Sequence, residues 1–528
     1  MSEYQPKQSK LGPVAGVGRR IQVAGVVIVA LVAGVGYGYA RPAASAPTAH
    51  AAQNATTSPV SSAEVVCPVL KDNGDTNVTT FTPTTVTGTG TAAETVTQLS
   101  QMTGSGAPKS VLSSGRAGRG TLAGAQGLSG NSLAANDLNN PVVAKVTGPD
   151  APGFTVTESL AGSGSSAEAG AASENCGSPD TDFWFTGLGA DKDPFSLLNL
   201  VNADSVPASV NITIYSTSGQ LTGNTATALQ GVTISADAQS YELISTLANN
   251  QDAPYAVHVV ATVGRVSAAV LDYDGEGHGR DFIGAQKAAA TLVMPGIPQA
   301  EDNEKITLSL LAPNNPASVA LRWVGKSTIT PATGSFSGEL DQGKVTTVDL
   351  SSVANAGEYA TLEVCGGSSG TDQCLPVTGD DGPTDVVGEV EVTQSDGSGQ
   401  DTAYVTPVSA LTGDGIVADN PLASVLTLSN TGTGTATVKV TQTPTGNSPT
   451  PVTSTVTIPA GTTVAQSLAK PKGASGYALT VTPVSGTVYA ARIAGTGHQL
   501  TIQSISSAAE TVTIPAVDQD VSGLVPQN

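Results

Sequence analysis

Apolar and polar residues alternate with a period of two through 196–219, SLLNLVNADSVPASVNITIYSTSG. Leu198 and Leu200 set one strand. Ala208, Val210, Ile212 and Ile214 set the next, with Ser209, Asn211, Thr213 and Tyr215 on its other face. This period marks half-buried strands of an antiparallel sheet. The pattern recurs at constant spacing in Leu426, Leu428, Asn430, Ala436, Val438 and Val440. It recurs with one residue deleted in Leu308, Leu310, Ala317, Val319 and Leu321. Val232, Ile234 and Ala236 return as Val456, Ile458 and Ala460. Tyr255, Gly264, Val266 and Ala268 return as Tyr477, Gly486, Val488 and Ala490. Such spacing argues for duplicated units of about 100 residues.

The predicted fold is all-β: tandem, immunoglobulin-like β-sandwiches after a single N-terminal transmembrane helix. The Cys…Trp…Cys core of true immunoglobulin domains is absent from the sequence. The expected organisation is a cytoplasmic tail at 1–20, an anchor at 21–40 and a tether at 41–62. An N-terminal β region at 63–181 follows, then sandwiches at 182–300, 301–415 and 416–528. Stretch 21–40 carries no charge, and five basic residues against one acid lie in the first 41. Its length suffices to span a bilayer, and the basic flank places the N-terminus in the cytoplasm. Ala44-Ser45-Ala46 offers the alternative of a cleavable signal peptide. In either case the bulk of the chain is expected outside the membrane. The tether, rich in Ala, Ser, Thr and Pro, has too little apolar surface for a core.

Composition narrows the function. The net charge is −21, and since the first 41 residues carry +4, the remainder carries −25. That surface repels nucleic acid, so no nucleic-acid partner is expected. The partner that the residues themselves point to is the cell membrane, through one helix.

Four cysteines, Cys67, Cys176, Cys365 and Cys374, allow three pairings. The expected pairs are Cys67 with Cys176, and Cys365 with Cys374 across a local insertion. No paired short spacing with histidine points to zinc, and no CxxC points to redox chemistry.

Of four histidines, His50 is in the tether, His258 in a strand and His498 in a turn. His278 sits in DYDGEGHGRD among Asp272, Asp274, Glu276 and Asp281. The first reading is a solvated acidic turn. The alternative is a Ca²⁺ site on those four acids, although the spacing is not an EF-hand loop. The glycines of 115–120, GRAGRG, lack the order of a phosphate-binding loop. No catalytic residue and no cofactor is expected. Trp184, in FWF, is read as core or junction packing; exposed, it would be a platform for stacking a sugar.

The CP pair near the start, Cys176-Gly-Ser-Pro leading through Phe183-Trp184-Phe185 into 196–219, the late Gly-x-Val-x-Ala-Ala strand and the basic N-terminal segment carry a resemblance. Together they resemble an actinobacterial family of membrane-anchored, extracytoplasmic proteins of uncharacterised function, encoded near cell-envelope glycosyltransferases. The resemblance implies a non-enzymatic scaffold or accessory role in the envelope, supporting surface-polysaccharide assembly. A glycan-binding module is the alternative, and a secreted hydrolase the least favoured. The shared motifs are structural, so no active-site residue is carried over.

Overall fold

In a computed structural model, the repeated hydrophobic pattern becomes a repeated topology. The structure describes 56–68, 75–83, 96–103, 118–125, 132–135, 138, 140–162, 170–189, 195–248, 253–273, 279–299, 304–332, 336–352, 358–367, 384–395, 400–421, 423–445, 450–495 and 499–514. The chain is nearly all β, in several separate antiparallel sheets. The anchor expected at 21–40 lies outside the described residues. Within them no helix is long and apolar enough to cross a membrane.

The unit at 182–283 shows the plan. One sheet orders Asp182–Leu188, Tyr255–Val263, Ala208–Ser216 and Val232–Ile234. The other orders Ala238–Leu243, Phe195–Asn202, Ser267–Tyr273 and Arg280–Ile283. Numbered along the unit, the strands run 1-6-3-4 and 5-2-7-8. The same order holds at 291–405 and 415–505, two of the three units adding a short fifth strand to one sheet. It also holds at 62–175, so the expected N-terminal β region is a fourth copy.

In each unit the alternating residues meet between the sheets. Leu198, Leu200, Ile212, Ile214, Tyr255 and Val270 are buried together at 182–283; Leu426, Leu428, Val438, Val440 and Tyr477 do the same at 415–505. The repeated asparagine has a repeated task. Asn202 donates to Val206 O and Ile234 O, and Asn430 to Gly434 O and Ile458 O. Each then accepts the N–H two residues on, closing the turn after strand 2.

The four units are not strung out. All lie in the compact body 59–512, and the eighth strand of each packs against the eighth of the next. Gly170–Asn175 lies on Arg280–Ile283, that strand on Gln400–Val405, and that on Thr501–Ile505. The last returns to Gly170–Asn175. The units therefore form a closed ring with these strands around its axis.

Apolar seams join neighbours. Val66 and Val143 meet Val201 and Ala203 between the first and second units. Trp184 and Tyr215 meet Leu311, Val345 and Val387 between the second and third. Ala491, Ile493 and Ile502 join the core of the third unit, and Phe81 meets Ile416, Ala418 and Ala478 where the fourth returns to the first. Closure covers both faces of sheets that a lone unit would leave wet.

The disulfide joins Cys67 to Cys176, 109 residues on. It ties the first strand of the first unit to the segment leaving its eighth. Cys365 is also disulfide-bonded, while Cys374 lies outside the described residues. Cross-linking a loop of about 100 residues removes unfolded-state entropy. The Cys67→Ser, Cys176→Ser double variant is expected to lose roughly 3 kcal/mol, read as a lower midpoint in urea with the fold retained.

Candidate functional site on the ring axis

At the axis the eighth strands carry polar side chains and small residues where an ordinary core would hold Leu and Val. Asp401, 0% exposed, stands where all four meet. Its carboxylate accepts the backbone N–H of Ala171 at 3.3 Å, Thr402 at 3.0 Å and Leu500 at 2.7 Å, and that of Arg280. Each donor belongs to a different unit. Glycine makes the approach possible: a Cβ at Gly279 would sit 1.7 Å from Asp401 Oδ1, and one at Gly170 2.8 Å away. Both glycines also have positive φ, where an L side chain is strained.

Further acids surround this point. Asp281 accepts from Phe282 N–H at 2.8 Å and from Thr501 Oγ1 at 3.4 Å. Glu158 faces Glu174 as its cross-strand partner, an arrangement that is unfavourable when both are charged. Glu389 accepts from Thr406 Oγ1 at 2.8 Å. Burial pushes the Asp401 carboxyl up to about 7 against the pull of its backbone donors. Burial, reinforced by the charges of Glu158 and Asp281, holds Glu174 well above the usual carboxylate range. Burial likewise raises Asp281 and Glu389. It lowers Arg280 to about 10, with Asp401 opposing. Desolvation outweighs pairing at every one of these groups.

Beyond the acids the axis opens into a cavity of about 210 Å³. Its wall comes from all four units: Ser173 and Glu174, Phe183 and Phe282, Tyr404 and Thr406, Ile502 and Gln503. No lysine or arginine is among the residues lining it.

The acids singled out in the sequence are split. Asp272 and Asp281 are opposite one another across two paired strands and both are buried; Asp274, Glu276 and His278 lie outside the described residues. The expected solvated turn is therefore corrected at its two ends. Asp272 accepts from Ser196 Oγ and, at 2.6 Å, from Tyr404 of the third unit. Among the described residues, the one group of cysteines and acids close enough to share an ion is Cys67, Cys176 and Glu158, and its sulfurs are bonded to each other.

Trp184 is no surface platform. It is 5% exposed, stacked on His258 at 3.8 Å and on Tyr215 at 5.7 Å, inside the seam between the second and third units. His258 contacts Asp182 at 3.2 Å through Nε2, and burial lowers its pKa. His50 and His498 lie outside the described residues. Sequence reading passed over Asp401, Glu174, Glu158, Glu389 and Arg280. The glycines at the start of two eighth strands, Gly170 opening one and Gly279 just before the other, were the signal that a buried group comes close there.

No curated protein matches the chain. Residues 128–469, from within the first unit into the fourth, match the model of a family of unknown function (DUF5719). That span is well over half of the sequence, and the chain belongs to this family.

Proposed function

We propose that the chain is a non-enzymatic, extracytoplasmic scaffold or accessory protein of the cell envelope, held to the membrane by residues 21–40. In this reading the four two-sheet units are immunoglobulin-like β-sandwiches closed into a rigid platform, and the partners are envelope proteins or polysaccharide. One observation carries it: the buried acids of the axis serve to join units. Asp401 gathers four strands, Asp272 ties the second unit to the third, and Asp281 reaches the fourth. An acid committed to several internal donors is poorly placed for general acid or base work. The strong negative charge supports a place away from nucleic acid.

The test is localisation of the full-length chain in cells. It is expected to pellet with membranes and to react in intact cells with a membrane-impermeant lysine reagent at exposed sites such as Lys287 and Lys344. Deleting 21–40 is expected to abolish both. A full-length protein found in the soluble cytosol and shielded from the reagent overturns the proposal.

A further inference from the structure

The axial cavity is polar in composition, yet most of its hydrogen-bonding groups are already engaged. Asn175 accepts from Thr157 and Gln503 and donates to Ile416 O. Gln503 accepts from Ser173, Ser504 donates to Thr406 O, and Tyr404 donates to Asp272. A wall with its amides and hydroxyls so committed has little left for a polyol. The Glu174 carboxyl differs. It belongs to the cavity wall, it is half-buried, and none of the hydrogen bonds just named uses it.

The wall also carries apolar and aromatic residues: Phe183, Phe282 and Ile502, with the ring of Tyr404. The charges around Glu174 are mostly negative. Glu158 opposes it across the strand pair, and Asp281 lies within its field. Asp401 and Glu389 lie further along the axis, with Arg280 near Asp401 and Arg492 near Asp281 and Asp419. Lys287 stands over the Phe183 ring at 5.5 Å and is paired with Asp180. An anion would meet repulsion and no cation in the wall. Among the described residues, Glu174, Asp281, Asp401 and Glu389 belong to no group of three ligands close enough to share a metal ion.

We propose that the axial cavity binds a small organic amine. The Glu174 carboxylate pairs with its ammonium group, and Phe183, Phe282 and Ile502 hold its apolar body. Aromatic faces and a desolvated carboxylate are the pairing that cations select. A volume of about 210 Å³ bounds the ligand to a small molecule. Burial and the charges of Glu158 and Asp281 raise the Glu174 pKa, so pairing with an ammonium ion works against proton binding at this carboxyl. Affinity therefore rises with pH. This binding does not depend on the membrane anchor, so it stands or falls separately from the scaffold proposal.

The test is calorimetric titration of the full-length protein with n-butylamine and tetramethylammonium, with glucose and inorganic phosphate alongside. One saturable site per chain is expected for the amines, tighter at pH 8 than at pH 6. Glu174→Gln is expected to weaken it by about tenfold or more, the scale of a hydrogen bond to a charged group. Thermal melting of that variant reports whether it folds. Ser506→Phe, at an exposed residue of the cavity rim, is expected to abolish binding by filling the mouth. Binding of glucose or phosphate in place of the amines overturns the proposal, as does no amine binding or undiminished binding by a folded Glu174→Gln protein.

Discussion

The Asp401→Ala variant is expected to lose about 4–12 kcal/mol, enough to leave the ring largely unfolded at 37 °C. The figure follows from the donors left behind. Four buried N–H groups lose their acceptor, and each orphaned buried donor costs about 1–3 kcal/mol. A typical fold has only about 5–15 kcal/mol in hand. Alanine is also too short to fill the space beside Gly170 and Gly279. Asp401→Asn keeps one acceptor oxygen and is expected to lose far less. Urea unfolding of both variants checks this. An Asp401→Ala protein as stable as the parent would mean that water or other groups replace all four bonds.

Stability is expected to increase as pH falls from 8 to 5, the reverse of ordinary acid denaturation. An acid whose folded pKa is raised binds its proton in the folded state while the unfolded chain has already lost it. Stability then falls with rising pH between the unfolded and folded pKa values. For Asp401, moved from the usual 3.8 to about 7, the change between pH 8 and pH 5 is on the order of 3 kcal/mol. Glu174, Asp281 and Glu389 are raised for the same cause and add in the same direction. His258 opposes them below the ordinary histidine range, because burial disfavours its charged form. A series of thermal melts between pH 5 and pH 8 reads the net effect. Asp401→Asn is expected to flatten part of the profile, and a melting temperature that falls steadily on acidification would contradict the account.

The sequence and the structure agree where the physics is local. Alternation in Leu198, Leu200 and Ala208–Ser216 gave strands, and the repeated spacing gave repeated units. The first unit hid its kinship because its strands, such as Gly118–Ala125 and Gly170–Asn175, carry Gly, Ala and Thr where the others carry Leu and Ile. Trp184 and the acids Asp272 and Asp281 were ambiguous for a different reason. Whether a ring or a carboxylate is buried depends on partners such as Tyr404, 132 residues away. Asp401 was invisible on the same ground. In QDTAYV it looks like an outward residue of an alternating strand, and its donors lie up to 230 residues distant.

The Asp401 carboxylate also sets an order of events at the ribosome. The last N–H it captures is that of Leu500, 99 residues downstream. At about 5–20 residues per second, that donor emerges roughly 5–20 s after Asp401 itself. Through that interval the nascent chain holds three units whose axial carboxylates and apolar seams have no fourth neighbour. The growing polypeptide must be shielded from aggregation until its final quarter arrives, and a chain truncated near residue 415 would never leave that exposed state.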